Sequence, residues 1–218
     1  MPSNENTKQI KSRQRVADHG EVFTNPREVN AMLDLVRDES FRLDSRFLEP
    51  ACGDGNFLIE ILRRKLSLLQ DVKSQTEWEF QILIAVGSCY GIDILPDNAE
   101  ACRTRLETYV LSQHPASERL PVDSPYLLSL RYMLRKNIVC GDALTYRTAQ
   151  NKPIVFCEWT PIAGSMQFSR RDFQFDFLVT QSHQYSLFDE QGEAQSFDEP
   201  VHTYPPLHYT QLYRYDTL

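Results

Sequence analysis

The sequence predicts an α/β fold in which helices cover both faces of a parallel sheet. Three short apolar runs, around Leu48, Ile92 and Val139, each lead into an acidic residue, and helical periodicity fills the intervals between them. Strands that alternate with helices are typical of parallel sheets, because a parallel connection needs a crossover element. A chain of 218 residues is also long enough to bury one sizeable core.

The first part of the chain supplies most of these elements. Pro26 and Pro96 suit the first turn of a helix, and the apolar residues after Gly55 recur at helical spacing. The stretch at 77–88 is apolar on most sides and is predicted to be a core helix. The predicted elements are helices at 26–37, 56–70, 77–88, 96–111 and 126–134, strands at 46–49, 90–94 and 138–140, and two further strand-like runs at 154–159 and 173–179.

Two glycines lie in the turn between the first strand and its helix. Gly53 and Gly55 permit positive φ and let a ligand approach the backbone without a Cβ, while the helix that follows presents unpaired N–H groups. This combination is typical of a nucleotide-cofactor loop. A tight strand-to-helix turn also favours glycine for purely structural reasons, so the loop alone does not decide the function.

Two aspartates follow the next two strands. Asp93, at the tip of the second strand, can accept hydrogen bonds from ribose hydroxyls, as in dinucleotide-binding folds. Asp142, after the third strand, can accept from an adenine amino group. Either one singly also suits a loop or a helix cap, and it is their order along the chain, after the glycine turn, that favours a cofactor site.

With these motifs the chain resembles the adenine-specific DNA methyltransferases of bacterial restriction-modification systems. The Glu-Pro-Ala-Cys-Gly-Asp-Gly loop is similar to the cofactor loop of that family, Asp93 to its ribose-binding acid and Asp142 to its adenine-binding acid. The run from Gly20 to Pro26 is similar to the N-terminal motif that covers the methionine end of the cofactor, although Asn25 separates Thr24 from Pro26. The resemblance covers roughly residues 15–144.

The resemblance implies a Rossmann-like, S-adenosylmethionine-dependent methyltransferase fold that is incomplete at the C-terminus. It implies S-adenosylmethionine as the cofactor and the N6 amine of adenine in DNA as the methyl acceptor. The residues that it assigns to cofactor binding are Phe23, Thr24, Glu49, Ala51, Gly53, Gly55, Asn56, Phe57, Asp93, Ile94, Asp142 and Ala143.

The catalytic motif of that family, Asp or Asn followed by Pro-Pro and an aromatic residue, is not found in the sequence. The run at 153–161 ends in Glu158, Trp159 and Pro161, which we predict as an altered catalytic tip: Glu158 as a hydrogen-bond acceptor and Trp159 as a stacking face for a flipped base. Gln181 and Tyr185 are the alternative. A purely structural sheet edge, with a strand-end acid beside a half-buried tryptophan, is the simpler explanation of Glu158 and Trp159 and is the one that we favour.

The ends of the chain are predicted to be separate from the main domain. We expect a flexible arm at 1–15, a cofactor-binding domain at 16–180 and an irregular tail at 181–218, since the last stretch is rich in Gln, Tyr, Pro and acids with little periodicity. The family continues with further strands and a DNA-reading region. We therefore expect a partner subunit to supply target recognition.

Charge and cysteine content restrict the function further. A formal net charge of -7 argues against a broad basic surface able to hold duplex DNA unaided, so we expect DNA to be contacted through a restriction-modification partner or a homo-oligomer. The five cysteines lack metal-ligand spacing, and no metal site is predicted. Without a signal or membrane-spanning run, the chain is expected to be cytoplasmic.

Two classes of function remain open. The first is a DNA adenine-N6 methyltransferase, or its catalytic half, in a restriction-modification or phage-defence system. The second is a non-catalytic cofactor-binding protein that serves as a regulatory or specificity subunit. The intact cofactor motifs favour the first, and the missing Pro-Pro motif favours the second.

Overall fold

The structure, a computed structural model, describes residues 14–15, 17, 24–116, 120–184 and 200–217. In chain order its elements are α1 (Pro26–Asp34), α2 (Arg37–Ser40), β1 (Phe47–Glu49), α3 (Asn56–Leu66), α4 (Gln75–Gly87), β2 (Cys89–Asp93), α5 (Pro96–Gln113), α6 (Pro125–Asn137), β3 (Ile138–Asp142), β4 (Arg147–Thr148), β5 (Val155–Pro161), β6 (Gln167–Gln174), α7 (Phe175–Gln184) and β7 (His202–His208). A short 3₁₀ helix follows α3 at Ser67–Leu69, and another follows β7 at Tyr209–Thr217.

The first sheet has four strands in the order β1-β2-β3-β4. Strands β1, β2 and β3 are parallel, and the two-residue β4 is antiparallel to β3. Glu49 pairs with Gly91 and Asp93 with Cys140, so the three parallel strands end at a common edge. The prediction of a parallel sheet with intervening helices is confirmed for these strands, and the fold is mixed α/β.

Helix starts follow the sequence closely. The side chains of Asn25, Ser74 and Ser124 each accept a hydrogen bond from a backbone N–H of the first turn of α1, α4 and α6, and proline begins α1, α5 and α6. These contacts satisfy N–H groups that have no partner within the helix. The predicted core helix at 77–88 is confirmed as α4, whose buried apolar residues are Trp78, Phe80, Ile82, Leu83, Ala85 and Val86.

The second sheet corrects the predicted strand arrangement. We expected the runs at 154–159 and 173–179 to extend the parallel sheet, but β5 and β6 form an antiparallel pair in a separate sheet of order β5-β6-β7. Only residues 162–166 lie between them, with Gly164 at φ 74°. A parallel connection needs a dozen or more residues, so this link permits only a hairpin.

The run at 173–179 is not a strand throughout. Strand β6 ends at Gln174, where the next N–H, that of Phe175, donates to the Ile154 carbonyl at 2.9 Å. From Phe175 onward the chain is helical, as α7. The buried ring of Phe175 contacts the rings of Tyr146 and Phe156, which fixes the start of this helix against β5.

The described residues of the C-terminal segment, 181–184 and 200–217, are more regular than the irregular tail predicted at 181–218; the rest of that range lies outside the described residues. Residues 181–184 continue α7, β7 pairs with β6, and the 3₁₀ helix at Tyr209–Thr217 packs against α6. Tyr209, Leu212 and Tyr215 are buried at a spacing of three residues, which suits the three residues per turn of a 3₁₀ helix. A period of three residues matches neither the 3.6-residue repeat of an α-helix nor the alternation of a strand, so this helix was not predicted.

The N-terminal arm predicted at 1–15 lies mostly outside the described residues, but Arg15 is described and forms an ion pair with Asp97.

No helix in the described part of the chain combines the length and the apolar character that crossing a bilayer requires. All five cysteines are free thiols.

Candidate functional site

A pocket of about 500 Å³ lies where the three parallel strands end. It brings together ten of the residues predicted to bind the cofactor, from the N-terminal motif, the glycine turn and both acidic strand ends. These are Thr24, Glu49, Ala51, Gly53, Asn56, Phe57, Asp93, Ile94, Asp142 and Ala143. The other lining residues are Pro50, Cys52, Leu95, Asn98, Gly141 and Leu144. Of the remaining predictions, Phe23 lies outside the described residues and Gly55 is not part of the pocket wall.

The glycine turn has the backbone conformation that the sequence predicts. Gly53 and Gly55 have φ of 53° and 96°, in the left-handed region where glycine is favoured. A Cβ on Gly55 would lie 2.8 Å from the Sγ of Cys102 on α5, closer than real Cβ contacts allow. Gly55 therefore permits close packing between the turn and α5, whereas Gly53 lines the pocket itself.

Arg105 of α5 donates hydrogen bonds to the glycine turn and to the start of α3. Its Nη1 donates to the Asp54 carbonyl at 2.8 Å and its Nη2 to Asn56 Oδ1 at 3.1 Å. Asn56 Nδ2 donates in turn to the Thr24 carbonyl at 3.3 Å, which joins the N-terminal motif to the start of α3. Nothing in the local sequence marks Arg105, because its partners are about 50 positions away.

The carboxylate of Asp93 accepts three hydrogen bonds at the edge of the pocket. Its Oδ2 accepts from the N–H of Gly53 at 2.9 Å, and its Oδ1 accepts from the N–H of Leu95 at 2.8 Å and from Asn98 Nδ2 at 3.2 Å. A carboxylate offers about four acceptor positions, so these contacts leave room for about one more, on Oδ2. Asp93 thus both fixes the glycine turn and retains capacity for one ligand hydroxyl.

Asp142 is held less tightly and is more accessible. The N–H of Leu144 donates to its Oδ1 at 2.8 Å. This backbone hydrogen bond lowers the pKa of Asp142 below its ordinary value, which keeps the carboxylate ionised. Hydrogen bonds from Thr145 act in the same direction, and Asp142 lines the pocket, where a carboxylate can accept from an amino group.

Glu49 ends β1 within the pocket, and burial raises its pKa above the ordinary value. The N–H of Ala51 donates to its Oε1 at 3.3 Å and opposes this shift. With Asp93 and Asp142, Glu49 gives the wall three carboxyl groups. Such a wall favours a ligand that carries positive charge and hydrogen-bond donors.

The predicted catalytic residues lie elsewhere, on β5, and none of them lines this pocket. Glu158 Oε1 pairs with Arg46, and its Oε2 accepts from Arg171 Nε at 2.7 Å. Trp159 is buried, and its Nε1 donates to Asn137 Oδ1 at 2.9 Å. These contacts tie the antiparallel sheet to β1 and α6, and they leave the Trp159 ring inside the core.

Pro161 ends β5 opposite Phe168 at the hairpin. Glu158 lines a second cavity, of about 300 Å³, whose aromatic wall comes from Phe47, Tyr90, Phe156 and Phe173. Gln181 and Tyr185 were the alternative catalytic residues. The side chain of Gln181 and all of Tyr185 lie outside the described part of the chain.

No known family model matches this chain, and neither a curated protein nor a solved structure matches it. Among residues 24–116, 120–184 and 200–217, no group of three or more His, Cys, Asp or Glu side chains is arranged to hold a metal ion. Leu95, Asn98 and Leu144 were not predicted as site residues, yet their N–H and Nδ2 donors orient the two aspartates.

Proposed function

We propose that this chain binds S-adenosylmethionine in the pocket where β1, β2 and β3 end, and that its fold is of the Rossmann-like methyltransferase type. The observation that carries the proposal is that three motifs far apart in the sequence line one pocket. In open parallel sheets, ligands bind outside the carboxyl ends of the strands. The pocket volume of about 500 Å³ lies within the usual range for sites that take ligands of this size.

The residues present fit this ligand. Gly53 provides a turn without a Cβ, Asp93 has a free acceptor position for a ribose hydroxyl, and Asp142 can accept from the adenine amino group. Glu49 can pair with the ammonium of the methionine part, which would offset the cost of burying its carboxylate. When bound, S-adenosylmethionine supplies an electrophilic methyl group on its sulfonium.

The first function that we propose is methyl transfer to the N6 amine of adenine in DNA, as part of a restriction-modification or phage-defence system. It rests on the sequence resemblance together with the fit of the pocket. In this reaction the residues of the pocket bind and orient the donor. The net charge of -7 favours DNA binding through a partner subunit, because phosphate contacts need basic side chains.

The second function is that of a non-catalytic cofactor-binding subunit with a regulatory or specificity role. A specific observation favours it. Both oxygens of Glu158 are engaged by arginines, and Trp159 is buried, so neither residue is free to accept or stack a base. Glu158 also pairs with Arg46, the residue before β1, whereas the pocket lies at the other end of that strand, at Glu49.

Calorimetric titration with S-adenosylmethionine and S-adenosylhomocysteine tests the binding proposal. Asp93→Ala should weaken binding by about 10- to 100-fold, because a hydrogen bond to a charged group contributes about 1.5–3 kcal/mol. Asp71→Ala, an exposed acid outside the pocket, is the matched control and should bind normally. Absence of binding by the unsubstituted protein, or equal binding by Asp93→Ala, would contradict the proposal.

Radiolabelled methyl transfer to DNA of mixed sequence separates the two functions. The assay compares the chain alone with the chain plus the proteins encoded beside it. Label in N6-methyladenine that disappears in Asp93→Ala supports the enzyme. Binding of the cofactor without transfer under either condition supports the subunit. If label persists in Glu158→Ala and Trp159→Ala, those two residues are not the catalytic site.

A further inference from the structure

Arg15 connects the beginning of the chain to the wall of the pocket. Its Nη1 donates to Asp97 Oδ2 at 2.8 Å, and its Nη2 donates to Asp97 Oδ1 and to Asn98 Oδ1, both at 3.2 Å. Asp97 and Asn98 lie in the first turn of α5. Asn98 is buried and lines the pocket.

The Asn98 amide lies between Arg15 and Asp93, and both contacts favour the same orientation. A guanidinium only donates hydrogen bonds, so the group of Asn98 that meets it must be the oxygen. The Nδ2 of Asn98 is then directed to Asp93 Oδ1, which accepts at 3.2 Å. The opposite orientation would set the amide oxygen against the Asp93 carboxylate, with two acceptors and no proton between them.

Asp93 is in turn the acceptor for the Gly53 N–H through Oδ2. Arg15, Asn98, Asp93 and Gly53 therefore form one chain of hydrogen bonds that ends at the glycine turn. The free acceptor position on Asp93 has a fixed direction only while its other three donors remain in place.

We infer that Arg15 is a positioning residue for ribose recognition, acting through Asn98 on Asp93. The inference rests on the proposed function, since it assigns Arg15 a role in the same site. It predicts that Arg15 contributes to the affinity for ligands with ribose hydroxyls and not to the affinity for the base.

Electrostatics alone gives the opposite expectation, which makes the inference testable. The pocket wall carries Glu49, Asp93 and Asp142, and S-adenosylmethionine brings positive charge. Removing the positive charge of Arg15 would therefore strengthen binding of this cation if only long-range charge mattered. The positioning role predicts that binding becomes weaker.

The decisive experiment compares adenosine with 2′,3′-dideoxyadenosine, by calorimetry or by competition with S-adenosylhomocysteine. In Arg15→Ala, we expect adenosine to bind about three- to tenfold more weakly, which corresponds to the net contribution of one ordinary hydrogen bond to the binding free energy. Dideoxyadenosine should bind as it does to the unsubstituted protein, within about twofold. Arg135→Ala, which removes an exposed arginine of α6, is the matched control and should change neither affinity.

A double-mutant cycle supplies the second readout. If Arg15 acts through Asn98, Arg15→Ala should cost nothing further in an Asn98→Ala background. Equal weakening for both ligands, or additive losses in the cycle, would overturn the inference and leave a merely structural role. If Asn98→Ala fails to fold in thermal unfolding, the comparison of the two ligands in Arg15→Ala decides alone. Failure of the proposed function is distinguishable, because then the unsubstituted protein binds neither S-adenosylhomocysteine nor adenosine.

Discussion

Glu49 should make cofactor binding depend on pH. Burial raises the pKa of Glu49 in the free protein, with the Ala51 N–H as a partly opposing contact. A bound ammonium next to its free Oε2 would favour the ionised form and lower this pKa. Binding of S-adenosylmethionine should therefore release a proton, and affinity should rise with pH through the raised pKa and become constant above it.

The size of the effect follows from the contact that Glu49 can make. One charge-assisted hydrogen bond contributes about 1.5–3 kcal/mol, so Glu49→Gln should lose about 10- to 100-fold in affinity at pH 8. At a pH below the pKa of Glu49, where both side chains are neutral, the two proteins should bind almost equally. Adenosine, which carries neither ammonium nor sulfonium, should show no such pH dependence.

Stability of the free protein should change in the opposite direction. A carboxyl group whose pKa is higher in the folded than in the unfolded state binds more protons when folded. Its contribution to the free energy of unfolding is therefore complete below the unfolded pKa and lost as pH rises through the folded pKa. Glu49→Gln removes this loss, so the variant should be more stable than the unsubstituted protein at pH 8 and not at pH 4.

Titration calorimetry from pH 4.5 to 8, in buffers of different ionisation enthalpy, measures affinity and proton release together. Urea unfolding of the free proteins gives the stability arm. An affinity for S-adenosylmethionine that is independent of pH, with an equal affinity in Glu49→Gln, would refute the reasoning.

Three further predictions concern single positions. Asp142→Ala should weaken binding of S-adenosylhomocysteine but not of its inosine analogue, which lacks the amino group, as competition assays would show; equal losses would contradict the adenine contact. Gly55→Ala should lower the free energy of unfolding in urea by about 2–4 kcal/mol, because it adds strain at positive φ and a clash with Cys102. The control Gly164→Ala also adds strain at positive φ but has open space around its Cβ, so it should lower the free energy of unfolding by only about 1–2 kcal/mol. Arg170→Ala should lower the free energy of unfolding by about 3–5 kcal/mol in the same assay, since it leaves buried Asp172 without its bidentate partner. The double variant Arg170→Met with Asp172→Leu should recover most of this stability, because no buried charge is left unpaired. No recovery would contradict the ion-pair account.

The grouping of these residues in one pocket was predictable because its signals are local. A glycine turn after an apolar run, and an acid after each of the next two runs, fall at one edge of the sheet once the strands are parallel. Arg105 was missed because its partners in the glycine turn are about 50 positions away in the sequence. Asn98 lies only five positions after Asp93, but an asparagine in the first turn of a helix does not by itself indicate this contact. The resemblance added the role of the cofactor, which is still a prediction.

The antiparallel half was not predicted, for a different reason. An apolar run such as the one ending at Trp159 suits a strand of either direction, and the length of the connection decides between them. Gly164 in the short link of residues 162–166 was the available signal for a hairpin. The buried face of the last helix, from Tyr209 to Tyr215, was equally readable at a period of three residues.

The position of β5 bears directly on the choice between the two proposed functions. Methyl transfer requires the acceptor nitrogen within about 3–3.5 Å of the donor carbon, in line with the breaking bond. Glu158 is held by Arg46 and Arg171 beside the start of β1, whereas the pocket proposed to hold the methyl donor lies at the end of that strand, at Glu49. Freeing Glu158 would also leave two arginines without their shared carboxylate, at a cost that binding a base would have to offset. An acceptor site at the donor pocket is therefore better supplied by another chain than by movement of β5, and transfer that appears only when a partner is added would follow from this geometry.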